Sequence, residues 1–194
     1  MILYYAPGAC SQASHIALNA AGIPHQLVKV DRDRRTEDGR DFNLINSKGY
    51  TPALDLGDGA ILTENLAILA YIAEQSGKLM PKDGLARWRV LEALAFMTTE
   101  IHRGFSPFFR GGTDEEKAQA AETLALRFGT INDQMGERPF LMGEEMTIAD
   151  CYLFVMLSWA VMMGVAVPSR LTAYLARMKD VPSVATTLAA EGLV

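Results

Sequence analysis

The segment from Ile2 to Val30 constrains this chain more than any other. Ile2-Leu3-Tyr4-Tyr5 reads as a short strand and Ala6-Pro7-Gly8-Ala9 as a turn. A helix follows, with Ala13, Ile16, Ala17, Ala20 and Ala21 recurring at helical spacing, and Gly22 with Pro24 marks its end. His25–Val30 then reads as a second strand. Strand, helix, strand implies a parallel pair joined by a right-handed crossover. Cys10 sits between turn and helix. It is either a small residue filling the junction or a reactive thiol. In the second case the first helical N–H groups favour its thiolate and set its pKa below the free value of about 8.5.

The following residues extend that pattern into a small sheet. Asp31–Arg40 carries charges of both signs and reads as a solvated loop, or as a source of ligand-binding cations. Phe42, Leu44 and Ile45 suggest a short helix. Ala53–Leu56 and Ala60–Leu62 flank Gly57-Asp58-Gly59, a hairpin signal. On local sequence alone the Thr51-Pro52 bond is expected to be trans, since about one X-Pro bond in twenty is cis. Thr63-Glu64-Asn65 opens a helix through Leu66, Ile68, Leu69, Tyr71 and Ile72. Its start is either a simple cap or an anion site with Glu64 ready to accept an ammonium. Residues 1–76 thus read as βαβαββα, and 77–84 as a linker.

Residues 85–194 read as helical throughout. A helix from Ala86 to Phe105 carries Trp88, Leu91, Ala95, Thr98, His102 and Phe105 three or four residues apart, and Ser106-Pro107 breaks it. Val90, Leu94 and Met97 lie off that stripe, and an exposed apolar surface of this kind signals a partner subunit. Thr113–Glu116 fits a capping box before a helix with Ala121, Leu124, Ala125, Phe128 and Ile131 inside. Thr147-Ile148-Ala149-Asp150 is a similar start, with Asp in place of Glu. It precedes Cys151–Met163, which is apolar on nearly every side and belongs inside a bundle. Leu171, Tyr174, Leu175 and Met178 mark a further helix, and Pro182 begins another.

Several function classes are excluded by what the residues lack. A net charge of −5 gives no basic surface for nucleic acid. The apolar run ending at Met163 is too short to span a bilayer. Two distant cysteines fit a reducing compartment, hence the cytoplasm. Three scattered histidines make no zinc site. His102 is either a structural histidine or a hydrogen-bonding group facing a cleft.

Five stretches in order give the chain a family resemblance. They are Tyr4-Tyr5-Ala6-Pro7-Gly8-Ala9-Cys10-Ser11, Asn46–Leu54, Leu62-Thr63-Glu64-Asn65, Glu100–Pro107 and Thr147–Asp150. From end to end the chain resembles the cytosolic glutathione S-transferases, most closely the bacterial beta class. The resemblance implies an α/β plus all-α architecture, with an N-terminal thioredoxin-like domain and an all-helical C-terminal domain. It implies a cis bond at Thr51-Pro52, in contrast to the local reading, with the backbone before it pairing with the cysteinyl part of glutathione. It assigns the γ-glutamyl end to Glu64 and Asn65, and the glycyl carboxylate to Arg34 or Arg35. Tyr5, Lys48 and Tyr50 complete the implied glutathione-binding set. Cys10, His102 and Ser11 are the catalytic candidates, and Phe105, Phe108 and Phe109 the candidate walls for an electrophile. Asn65 stands where the family has Ser or Gly, and Ala95 where the beta class often has Asn.

The implied activity is conjugation of the glutathione thiol to hydrophobic electrophiles, a detoxification chemistry. Glutathione is the co-substrate, no metal is needed, and the protein is expected to be a homodimer with neither nucleic-acid nor membrane partners. Two alternatives stay open. Cys10 could serve a glutathione-dependent thiol–disulfide reductase or peroxidase through a mixed disulfide. The chain could also be a non-catalytic carrier of apolar ligands.

Overall fold

A computed structural model describes all residues, 1–194. The chain forms two units, one of Met1–Leu79 with Val181–Val194 and one of Met80–Asp180. The first contains β1 (Ile2–Tyr5), α1 (Ser11–Ala21), β2 (Gln26–Lys29), β3 (Ala53–Asp55), β4 (Ile61–Thr63) and α2 (Asn65–Ser76). The sheet order is β2-β1-β3-β4. β1 and β2 are parallel with Leu3 opposite Leu27, and β3 is antiparallel to both β1 and β4. This is the thioredoxin-like arrangement expected from the sequence. The short helix expected after Phe42 is a single 3₁₀ turn, Phe42–Leu44, capped by the Asp41 carboxylate on the Asn43 N–H.

Period-two alternation sends Leu3 and Tyr4 to opposite faces of the sheet. Tyr4 joins Val30, Phe42 and Ala53 in one core cluster, with its ring centroid 5.7 Å from that of Phe42. Phe42 is the residue that anchors an otherwise polar loop, and its full burial is worth about 1.5–3 kcal/mol. Ile16, Leu18, Leu54, Ile68, Leu69 and Ile72 are completely buried as well. Gly22 ends α1 at φ 75°, a left-handed conformation that costs glycine nothing, and its N–H caps the Leu18 and Asn19 carbonyls.

α1 is buried on more than one face because α8 (Pro182–Glu191) packs on it. The sequence reading placed this helix in the C-terminal helical domain. Polar ties hold it in the first unit instead. The Asn19 side-chain amide donates to Thr187 Oγ1 at 2.9 Å, and Glu191 pairs with His15.

The second unit contains α3 (Gly84–Phe96), α4 (Ser106–Phe109), α5 (Asp114–Met135), α6 (Ile148–Met162) and α7 (Ser169–Lys179). The stripe expected along the first of these helices is corrected. Trp88 and Ala95 are exposed, and the buried residues are Val90, Ala93, Leu94, Met97, Ile101 and Phe105. Nor does α3 run unbroken to Phe105. Met97–His102 is π-helical and Arg103–Phe105 is a 3₁₀ turn leading into α4. The wider π turn alters the phase of the inward face. Pro107 lies in the first turn of α4, where its missing N–H costs no helical bond.

α6 is the centre of this unit, with every residue from Ile148 to Leu157 buried. Asp150 secures its start. Its carboxyl accepts from the N–H of Leu141 (2.8 Å) and Thr147 (2.8 Å), and from the hydroxyls of Thr147 (2.9 Å) and Tyr174 (2.8 Å). α5 begins with the complete capping box expected of Thr113 and Glu116.

Candidate active site

Three segments of the first unit converge at Cys10: the turn after β1, the loop before β3 and the N-terminus of α2. Each junction is local chemistry. The turn closes through the Ala9 N–H donating to the Ala6 carbonyl at 3.1 Å. Ser11 reinforces it, its Oγ accepting from the Ala6 N–H at 3.1 Å and donating to the Ala6 carbonyl at 3.2 Å. Ser11 is fully buried by this role. Its hydroxyl is therefore committed to the turn, which corrects its place among the catalytic candidates.

The Cys10 thiol donates to the main-chain carbonyl of Thr51 at 3.5 Å. The Thr51-Pro52 bond is cis, as the resemblance implied and the local reading did not. Cys10 keeps some exposure, yet burial pushes its thiol up to about 12. The Glu64 carboxylate adds to that rise. The Cys10 and Ser11 N–H groups oppose it, so the helix-terminus effect exists but is outweighed. Burial thus favours the thiol form of Cys10, as a hydrogen-bond donor to Thr51, in contrast to the low-pKa thiolate expected from the helix start alone. Cys151, inside α6, is likewise raised by burial.

Glu64 precedes α2 with φ 70°, in the left-handed region where a side chain costs about 1–3 kcal/mol. Its Oε1 accepts from Lys48 Nζ at 2.5 Å and from the Tyr50 hydroxyl at 2.9 Å. The Lys48 bond holds the Glu64 carboxyl below the usual carboxylate range, against a partial cost of burial, and Tyr50 adds to the lowering. Lys48 also donates to Thr63 Oγ1 at 3.0 Å. Glu64, Lys48 and Tyr50 thus form one exposed charged group beside the first N–H groups of α2.

Asn65 is nearly buried, and both ends of its side chain are used. Oδ1 accepts from the Ser14 hydroxyl at 2.6 Å, and Nδ2 donates to the Cys10 carbonyl at 3.1 Å. The side chain ties α2 to α1 and is not free for a ligand. What Asn65 can offer is its main-chain N–H, which as the first residue of α2 has no partner within the helix.

Arg34 lies over Gly49. A Cβ at Gly49 would come within 2.9 Å of Asn43 Oδ1 and 3.0 Å of the Arg34 guanidinium. With φ +72° as well, the position requires glycine. The main-chain N–H of Arg35 donates to Asp31 Oδ1 at 2.8 Å, and its side chain is exposed. Tyr5 is corrected: it is buried with its ring 6.0 Å from that of His15, and it lies in the core of the unit.

The remaining candidates belong to the helical unit. His102 Nδ1 is 2.6 Å from the Tyr152 hydroxyl, and its ring lies 5.1 Å from that of Trp159. Burial lowers its pKa and so favours the neutral imidazole. Phe105 is corrected from pocket wall to core, being fully buried against Phe108, Phe109, Phe128 and Trp159. Phe108 and Phe109 keep exposure, and Phe109 stacks edge-on to Trp159 at 4.8 Å. Tyr152 and Trp159 were missed by sequence reasoning. Their one signal was their presence in an apolar helix, which does not distinguish them from core residues.

No three His, Cys, Asp or Glu side chains cluster to hold a metal ion.

Comparison with known proteins covers the whole chain. Residues 8–75 match the family profile described as glutathione S-transferase, N-terminal domain, and residues 114–177 the corresponding C-terminal domain. The chain is 40% identical to the Glutathione S-transferase GstA of Escherichia coli O157:H7 over 200 residues, covering 100% of both. A beta-class glutathione S-transferase of Sphingomonas chungbukensis has a similar structure, with a TM-score of 0.91, 42% identity and full coverage of both chains. So has a sphingomonad glutathione S-transferase complexed with glutathione, with a TM-score of 0.91, 41% identity and the same coverage.

Proposed function

Because the chain belongs to the glutathione S-transferase family and is most like its bacterial beta class, we propose a specific division of labour among its residues. The protein is a glutathione transferase that conjugates the glutathione thiol to hydrophobic electrophiles. Glutathione lies extended across the first unit. Its cysteinyl backbone pairs with Thr51 beside Pro52. Its γ-glutamyl carboxylate takes the first N–H groups of α2, including that of Asn65, and its ammonium goes to Glu64. Lys48 and Tyr50 hold Glu64 ionised and in place, and Arg34 receives the glycyl carboxylate.

The observation that carries this reading is the hydrogen bond from Cys10 to Thr51. A glutathione N–H arriving at the Thr51 carbonyl competes with the Cys10 thiol for the same acceptor. The freed S–H can then donate to the glutathione sulfur and stabilise its thiolate. The glutathione thiol gives its proton to solvent, and the resulting thiolate attacks the electrophilic carbon. A C–S bond forms, and the leaving group departs with the bonding electron pair. The reductase alternative requires Cys10 itself as the attacking thiolate, and burial opposes that. The helical unit serves the electrophile through Phe108, Phe109 and Trp159, with His102 and Tyr152 as polar partners.

The protein acts as a homodimer. Support comes from Leu85 and Trp88, both largely exposed on α3. Val90, Leu94 and Met97, which the sequence offered for that role, are buried within the unit. No helix is long and apolar enough to cross a membrane, and both cysteines are free, which fits a reducing cytoplasm. The test is glutathione-dependent turnover of an aryl halide, run beside reduction of a glutathione mixed disulfide. Turnover in the first assay with little in the second is expected. Ligand binding with neither activity would identify a carrier instead.

A further inference from the structure

One buried carboxylate takes no part in the mechanism above. Glu191 stands at the end of α8, and its side chain is wholly excluded from solvent. Three donors surround it. His15 Nδ1 lies 2.9 Å from Oε1. The Gln12 side-chain amide donates to Oε2 at 3.0 Å, and the main-chain N–H of Gly8 donates to the same oxygen at 2.9 Å. Gln12 and His15 are on the first turns of α1. Gly8 is in the turn that delivers Cys10, where it adopts φ +68°. Leu193 approaches the same glycine, 3.6 Å from where a Cβ would stand.

A buried carboxylate is costly unless its oxygens are satisfied. Here the satisfying groups come from two sides of one junction, the turn and the helix it leads into. Glu191 therefore fixes the turn relative to the α1 terminus. The turn's own bonds, through Ser11 and Ala9, set its internal shape, whereas Glu191 sets where it stands. We propose that Glu191 is a positioning residue for the transferase reaction, acting through Gly8 to hold Cys10 and the α1 terminus in register with the glutathione sulfur. This rests on the glutathione reading given above. Glu191 touches no reacting atom. Its loss should lower kcat, and raise the pKa of the bound glutathione thiol, more than it raises KM for glutathione, because Glu64 is held by Lys48 and Tyr50 and Thr51 leads directly into the paired strand β3, none of which Glu191 touches. Small displacements at a reacting centre cost about ten- to a hundredfold in rate.

The experiment compares Glu191→Ala, Glu191→Gln and Thr187→Val. Thr187 supplies the other polar tie between α8 and α1, away from the turn. Glutamine can keep all three contacts, its oxygen accepting from Gly8 and Gln12 and its amide donating to a neutral His15 Nδ1. Expected are a kcat at least about tenfold lower in Glu191→Ala, with the pH profile of kcat shifted upward, substantial recovery in Glu191→Gln, and a lower Tm with ordinary kinetics in Thr187→Val. If Glu191→Ala does not fold, Glu191→Asp, too short to meet all three donors, is expected to show the same pattern at smaller scale. Wild-type kcat and pH profile in a folded variant lacking the three contacts would overturn the proposal. Alkylation of Cys10 by iodoacetamide supplies a readout independent of turnover, and it should quicken in Glu191→Ala but not in Thr187→Val. An enzyme with no wild-type conjugation would refute the transferase reading alone. Equal Cys10 alkylation in all variants would refute the positioning role alone.

Discussion

The side-chain amide of Asn65 donates to the main-chain carbonyl of Cys10 at 3.1 Å, joining the start of α2 to the start of α1. Both helix N-termini that the glutathione reading uses are thereby fixed to each other by one side chain. Its oxygen, bonded to Ser14, prevents the amide from rotating away.

Asn65→Ala should therefore act mainly on stability. It leaves the buried Ser14 hydroxyl without its acceptor, at about 1–3 kcal/mol for a buried group left unsatisfied, and removes one of two donors from the Cys10 carbonyl, which keeps the Ala13 N–H at 3.1 Å. The denaturant midpoint should fall with an unchanged m-value. Glutathione affinity should fall less than in a Glu64 variant, since the main-chain N–H remains. The reverse order of effects would mean that the side chain itself binds glutathione.

Glu64→Ala removes the acceptor proposed for the γ-glutamyl ammonium. Calorimetry should show glutathione binding weakened by about 1.5–3 kcal/mol, the range for hydrogen bonds to charged groups. Lys48 also loses its ion-pair partner and keeps only its bond to Thr63 Oγ1, leaving an uncompensated cation there. An affinity equal to wild type would place the ammonium elsewhere.

Cys10 should resist alkylation in the native protein at pH 7 to 8 and react readily once unfolded, because the thiolate is the attacking species. Its native pKa, pushed up to about 12, lies above the free value of about 8.5. The native state thus holds the thiol proton more tightly than the unfolded state. The stabilisation is complete below about pH 8.5 and is lost as pH rises toward 12. Stability measured between about pH 8.5 and 11 should fall less steeply in Cys10→Ala than in wild type. Equal slopes would show that Cys10 is not held protonated.

The dimer is tested through α3. Sedimentation at micromolar concentration should show two copies for the wild type, and Trp88→Glu should shift the population to monomer without unfolding it, since Trp88 is 64% exposed. A wild type that sediments only as monomer removes the proposal.

Much of the fold was legible because it is written in short periods. The short apolar run of β1, the Gly57-Asp58-Gly59 turn, the Thr113–Glu116 capping box and the all-round apolar α6 each depend on neighbours a few residues away. The α3 stripe was misread because tryptophan is an inward-facing residue by type although Trp88 is exposed, and because a π turn changes the phase beyond Phe96 where no residue announces it. At the site, Glu64 and Thr51 were singled out through family motifs, and the structure brings both near Cys10, Thr51 by a direct hydrogen bond. The state of Cys10 was not legible, because burial decides it and burial is a property of the assembled unit. Glu191 was beyond reach for a related reason: it stands 176 residues from His15, and an acidic residue near a helix end has many solvated uses.

That same separation sets an order of events during synthesis. Met80–Asp180 is one continuous stretch and is made before α8 exists. The sheet and α1, though made first, lack the helix that covers α1 until Val181–Val194 has been added. The half of the protein proposed to hold glutathione is thus expected to mature last, as a non-local closure. On arrested chains ending before Val181, protease should cut α1 while sparing α6.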